Sequence, residues 1–290
     1  MSTPAPSIEI YPSEEIDWMD LPLLVRELTR LQDLAYPDSP NDTVRKFVPL
    51  VASWFDGAHS RLQANDTCYH DIDHTLQVLL CWVRLMAGRA VSMDHPRVPF
   101  ALYRLGLVAV LLHDIGYLKE REDLEGTGAK FTFIHEERGC QFIDQELPGL
   151  GFSPADIGSI QRFIRCTGPR ADLNAIPFAS EAERVVGMAV CTADYIGQMS
   201  DPDYVKKLPC LFREFEESND YCGVPLEDRL FLSAEDLISK TPQFWTDFLI
   251  PRLDNECSQV YRSLGHPVSE GMNPYWNRIT ANIDRIQASL

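Results

Sequence analysis

The chain has 290 residues, 45% of them hydrophobic and 24% charged, with a formal net charge of −17, the balance of a globular protein long enough to bury a sizeable core. So acidic a surface repels phosphate backbones and excludes nucleic acid as a general partner. It leaves room for a small phosphorylated substrate, because bound divalent cations would invert the field inside one pocket.

Residues 1–15 read as a loose lead-in containing Pro4, Pro6 and Pro12. They carry no apolar h-region, and no later apolar run looks long enough to span a bilayer, so the expectation is a cytoplasmic protein with no membrane partner. From Leu21 to Ala35 apolar residues recur at helical spacing, and Asn41-Asp42 caps a second helical pattern over Val44–Leu62, which Pro49 would kink or restart. A third long helix is expected over His70–Ala90, and Pro99 opens a very apolar one over Phe100–His113. The charged stretch Glu120–Lys130, with Gly126 and Gly128, reads as a flexible loop bordering or covering a pocket. Further helices are expected at His135–Glu146, Pro154–Cys166, Glu181–Ile196, Asp203–Asn219, Leu226–Leu237, Thr241–Asp254 and Pro274–Ser289. Strand alternation is almost absent, short runs such as Phe131–Ile134 being ambiguous, and there is no internal repeat. The fold class is therefore all-α: one domain over 16–290 with peripheral N- and C-terminal helices.

Eight cysteines are scattered through the chain without any C-x-x-C pair, which suits reduced thiols better than a disulfide framework or a zinc-thiolate site. The chemistry-bearing residues fall in four places. Tyr69-His70-Asp71-Ile72-Asp73-His74 puts two imidazoles four apart, hence on one face if helical. Leu111-Leu112-His113-Asp114-Ile115-Gly116-Tyr117 ends an apolar helix on an imidazole and a carboxylate, followed by a helix-stopping glycine. His135 opens His135-Glu136-Glu137-Arg138, and Asp194 lies inside the apolar run Cys191-Thr192-Ala193-Asp194-Tyr195. Burying His113, Asp114 and Asp194 among leucines, valines and alanines is costly unless each is paired. One divalent cation resolves that cost for all of them, since imidazole suits transition metals and carboxylate suits magnesium or manganese. Four satisfied polar residues of a helical core are the plainer alternative, but they would have to coincide in spacing by chance.

These four pieces, in this order, resemble the HD superfamily of metal-dependent phosphohydrolases, whose adjacent His-Asp pair is matched by His113-Asp114. The resemblance runs over residues 65–200. Tyr69-His70-x-x-x-His74 is also similar to the signature of the cyclic-nucleotide phosphodiesterase branch. The resemblance implies an HD-domain helical bundle in which His74, His113, Asp114 and Asp194 ligate one or two divalent ions (Mn, Mg, Fe, Ni or Zn). It implies that Asp114 can bridge two metals, that His70 protonates the leaving oxygen, and that a metal-bound hydroxide attacks phosphorus. The substrate class would be a nucleotide or another small phosphorylated metabolite.

The pattern also departs from that family. Bacterial relatives with a fuller dinuclear site carry more histidines before the last aspartate, whereas Arg162-Phe163-Ile164-Arg165-Cys166-Thr167 has none. A second metal must rely on Asp114, His135 and water, and the glutamine that phosphodiesterases use to hold the nucleobase has no match. Arg162 and Arg165, with Arg170 nearby, are placed to hold phosphate oxygens, against the alternative of a solvated face. His59, His95 and His266 lack partner motifs and read as surface residues. Phe244-Trp245 with Phe248 reads as core, and Asp201-Pro202-Asp203-Tyr204 as a helix start. A di-iron oxygenase of the same superfamily, a nucleotide-sensing regulatory protein with a slow site, and a purely structural helical module remain rivals. A homodimer is open.

Overall fold

Among the residues that the computed structural model describes (10–11, 16–92, 95–265 and 273–290), regular structure is helical and no strand occurs. A single isolated bridge joins Leu62 to Glu120. The helices are α1 (Leu21–Ala35), α2 (Asp42–Phe55), α3 (Ile72–Val91), α4 (Phe100–Leu112), α5 (His135–Glu146), α6 (Pro154–Arg165), α7 (Glu181–Met199), α8 (Tyr204–Tyr221), α9 (Ala234–Gln243) and α10 (Pro274–Ser289).

Most of these helices start where a side chain can accept from a free first-turn N–H. Asp20 accepts from the Leu23 N–H at 2.9 Å and begins α1. Asp71 accepts from the His74 N–H at 3.0 Å and begins α3. Ser153 and Asp156 form a reciprocal capping box at α6, and Ser180 and Ser233 cap α7 and α9.

The core is built around α3 and α4. Helix α3 packs against α1, α4 and α7, and α4 also touches α2 and α6. That explains why α4 is apolar all round from Leu105 to Leu112: no face of that stretch is left for water. Gly106 is what lets the helices close up, because a Cβ there would stand 2.5 Å from the Trp82 ring and 2.6 Å from Val186. The stretch Phe100–Tyr117 does reach the length and hydropathy of a membrane span, contrary to the sequence expectation, but 78% of it is buried inside this core.

The structure differs from the sequence expectations at several boundaries. Helix α2 stops at Phe55, where Gly57 turns the chain at φ 85°. Helix α3 begins two residues after His70, because Asp71 takes the capping role. Of the helix expected at Leu226–Leu237 only Ala234–Leu237 is α-helical, as the start of α9; a short 3-10 turn, Leu226–Asp228, precedes the cap Ser233. Beyond α9 the chain continues in wider π-type turns, Phe244–Leu249 and Arg252–Glu256. Most of the expected 1–15 lead-in lies outside the described residues, but Ile10 is buried and Tyr11 donates to the Leu264 carbonyl at 2.6 Å. His266 also lies outside them. His59 is buried rather than exposed, packed between Trp54 and Phe142 with Glu146 at 3.4 Å, whereas His95 is exposed. All eight cysteines are unpaired thiols, five of them buried.

Candidate functional site

Four separate elements bring the polar residues of the core to one point. His74 sits in the first turn of α3, fixed by the Asp71 cap. His113 closes α4, and its Nδ1–H donates to the Val110 carbonyl at 2.7 Å, which leaves Nε2 as the free ring nitrogen. Asp114 follows, just before the 3-10 turn Ile115–Tyr117. Asp194 projects from the middle of α7, which packs along α3. His135 opens α5, and its Nδ1–H donates to the Thr132 carbonyl at 2.8 Å.

Asp114 Oδ2 lies 3.2 Å from both His74 Nε2 and His113 Nε2. Asp194 Oδ1 lies 3.3 Å from His74 Nε2 and 3.6 Å from His113 Nε2. The two Nε2 atoms are themselves 3.3 Å apart. His135 Nε2 reaches Asp114 Oδ1 at 3.5 Å from the other side. Gly116 permits that approach, because a Cβ on it would fall 1.9 Å from the His135 carbonyl oxygen.

This donor set fits a divalent cation. Asp114 Oδ2 is buried and accepts no hydrogen bond, a costly state for a carboxylate oxygen. The His113 tautomer turns a lone pair toward that oxygen and toward a second imidazole. Without a cation, only protons can relieve the crowding of lone pairs. Burial disfavours an imidazolium at His74, but the Asp114 and Asp194 carboxylates outweigh it and raise its pKa to about 9. His113 is pushed well above the usual imidazole value by the same balance. Burial would raise the Asp194 carboxyl, yet His113 and His74 hold it down at about 2, and Asp114 is held well below the usual carboxylate range. His74, His113 and Asp114 each offer a ligand atom within 4.8 Å of the others.

The cluster lies at the wall of a cavity of about 720 Å³, which Asp114, Asp194, His70 and His135 all line. His70 is held from behind by Glu214 of α8. Its Nδ1–H donates to Glu214 Oε2 at 2.5 Å, while the Tyr69 and His70 N–H groups donate to Oε1 at 2.6 and 3.3 Å. The Tyr117 ring stacks on both His70 (4.6 Å between centroids) and His135 (4.5 Å). The ring planes of the two histidines are thereby fixed relative to the Asp114 turn.

Comparisons with known proteins agree with this architecture. Two solved structures of the phosphodiesterase domain of the rhodopsin phosphodiesterase from the choanoflagellate Salpingoeca rosetta share the fold. One superposes at a TM-score of 0.55 with 16% identity, covering 94% of this chain and 90% of that one. The other gives 0.54 at 15%, covering 95% and 92%. A family described as Npun_R2479-like matches residues 121–263, a span that holds His135 and Asp194 and leaves out His74, His113 and Asp114. No curated protein matches the sequence.

Of the residues singled out in the sequence, the structure brings His70, His74, His113, Asp114, His135 and Asp194 together. Arg165 lines the cavity at its outer part, paired with Glu137 at 3.0 Å. Arg162 does not line it. Its guanidinium is taken up by buried Glu183, at 2.6 and 3.1 Å, and by Ser159. Glu120–Lys130 does not border the cavity either. Lys119 and Gly128 bind Asp66, Thr127 binds Glu217, and Lys130 binds Asp123, so the loop is pinned to the neighbouring surface. The cavity wall is instead Thr132–Glu137. Phe244, expected in the core, is 36% exposed and lines the cavity, while Trp245 beside it is buried. Sequence reasoning gave Tyr117 no role within its motif and missed Glu214, Gln198 and the wall supplied by residues 230–244. Glu214 alone had a readable signal: a carboxylate on the inward face of an amphipathic helix with Leu208 and Ser218.

Proposed function

We propose that this protein is a metal-dependent phosphoester hydrolase of the HD type. The observation that carries the reading is the convergence of two imidazole Nε2 atoms on the buried Asp114 Oδ2 at the edge of a cavity. His74, His113, Asp114 and Asp194 would hold the cation, with His135 available to a second ion or to a phosphate oxygen. A divalent ion bound there supplies Lewis-acid polarisation of the phosphoryl oxygens and a water acidified toward a pKa of about 7.

The chain's own side chains supply the rest. Hydrolysis forms a bond from water oxygen to phosphorus and breaks the bond from phosphorus to the ester oxygen, which leaves as an alkoxide and needs a proton. His70 would deliver that proton from Nε2 as an imidazolium, since it lines the cavity while its Nδ1–H is held by the Glu214 carboxylate. Tyr117 keeps the ring from turning away. The cavity volume is that of sites for small organic ligands, enough for a nucleotide or another small phosphorylated metabolite.

The test is direct. Metal content of the purified protein is measured by elemental analysis, and phosphoesters are screened with manganese, magnesium, nickel and iron. Asp114→Ala is expected to abolish both bound metal and turnover while helical content by circular dichroism is retained. Turnover surviving that change would sink the assignment.

A further inference from the structure

Much of the cavity lining is apolar. One wall is built from Leu208, Leu211, Phe215, Phe231, Leu237 and Phe244, contributed by α8, α9 and the segments flanking α9. The apolar surface continues to the mouth, where Ile134, Leu230 and Phe244 are 41%, 56% and 36% exposed. Polar side chains do line this part, but most are committed within the protein. The hydroxyls of Thr132, Thr167 and Thr241 donate to carbonyls of their own turns at 2.7, 2.8 and 2.9 Å. Gln198 Oε1 accepts from the Tyr69 hydroxyl at 2.8 Å. Lys240 pairs with Asp236 at 2.8 Å, and Arg165 with Glu137 at 3.0 Å. The Tyr195 and Tyr117 hydroxyls are exceptions, each buried and without a hydrogen-bond partner, and the Arg170 guanidinium lines the cavity against the Phe133 ring.

A ribose or a nucleobase placed against this wall would give up its hydrogen bonds to water and receive few in return, which is strongly unfavourable. An alkyl or aryl group would lose nothing and would take apolar surface out of water on both sides. The exposed leucine and phenylalanine at the mouth are what such a group would also cover. Building on the hydrolase reading above, we infer that the substrate is an amphiphilic phosphate ester. Its phosphate sits at the His74/His113/Asp114/Asp194 end, and its hydrocarbon part fills the cavity between α8 and α9.

The experiment separates this from the hydrolase reading by using ligands that cannot turn over. Ethyl-, butyl- and octylphosphonate share one headgroup and differ only in chain length. Their affinities for the manganese-loaded and metal-free protein are measured by titration calorimetry. Burial of each methylene is worth at most about fourfold in affinity, and ordering the chain takes part of that back. The expected result is therefore at least about a tenfold gain from butyl to octyl, with a more negative heat-capacity change of binding. Phe231→Ser and Phe244→Ser should each shrink the octyl preference while ethylphosphonate binding, the check on folding, stays unchanged. Manganese-dependent binding that is indifferent to chain length would overturn the amphiphile and leave the hydrolase reading standing. An octyl preference untouched by both variants would remove the wall assigned here. Octyl binding equally tight without manganese would remove the phosphate from the metal end. Absence of manganese-dependent binding for every phosphonate would count against both readings.

Discussion

Loading the site with metal should expel protons, and the number follows from the geometry. The two Nε2 atoms stand 3.3 Å apart and each lies 3.2 Å from Asp114 Oδ2. In the metal-free protein those carboxylates keep imidazolium protons in place: His74 is raised to about 9, and His113 is also raised far above its ordinary value. At pH 7 His74 is then about 99% protonated, two units below its pKa. A cation binds the neutral imidazole only, so each ion bound at pH 7 should release between about one and two protons. The apparent affinity should climb about tenfold per pH unit for one proton, or about a hundredfold for two, and the His74 share of that rise should flatten above pH 9. Calorimetric titration of manganese in buffers of differing ionisation heat reads the proton count directly. The same balance sets stability. A histidine raised from 6.5 to about 9 stabilises the fold by on the order of 3 kcal/mol below its unfolded pKa, and that contribution disappears as pH rises through 9. The metal-free protein should therefore melt lower at pH 10 than at pH 6, and added manganese should erase the difference. Binding with no net proton release, or with an affinity flat between pH 7 and 8.5, would refute the reasoning.

Other outcomes follow from single contacts. Gly116→Ala would set a Cβ 1.9 Å from the His135 carbonyl oxygen and 2.8 Å from the Gly139 nitrogen, so α5 must shift, costing about 1–3 kcal/mol. Turnover should fall more than metal content, as measured on the same preparation; a variant with wild-type melting and kinetics would contradict the close approach. His70→Ala should spare metal and depress turnover most for esters with poor leaving groups, and Glu214→Gln should do the same more weakly. Equal losses on good and poor leaving groups would remove His70 as the acid. Arg162→Ala strands the buried Glu183 carboxylate and should lower stability by about 1–3 kcal/mol without altering KM; a raised KM would return Arg162 to the substrate.

What the sequence shows and what it hides have physical reasons. His113, Asp114 and Asp194 stand out because each interrupts a run of residues that otherwise only fill space, and an unpaired ionisable group in such a run is expensive. The all-α architecture is legible for the same kind of reason: apolar spacing and caps such as Asp20 and Ser153 agree with each other. The helix limits at α1, α5 and α10 come out as the spacing predicts. The His70 placement does not, because Asp71 can be either a first-turn acid or a cap, and only tertiary context chooses the cap. Choosing it moves His70 off the helix and onto Glu214, 144 residues away, a partnership no local pattern can specify.

The arginines teach the converse. Arg162 and Arg165 lie three apart on α6, and a sequence reading treats them alike as phosphate ligands. Their neighbours separate them: Glu183, 21 residues on, is buried and captures Arg162, whereas Glu137 meets Arg165 where its side chain is 43% exposed. Charge beside a metal cluster is thus no evidence of substrate contact until its counter-ion is known. The same logic applied to the cavity favours an ester with an apolar alcohol part: once the threonine hydroxyls and the Lys240 amine are matched to their partners, most of what is left to meet that part is hydrocarbon.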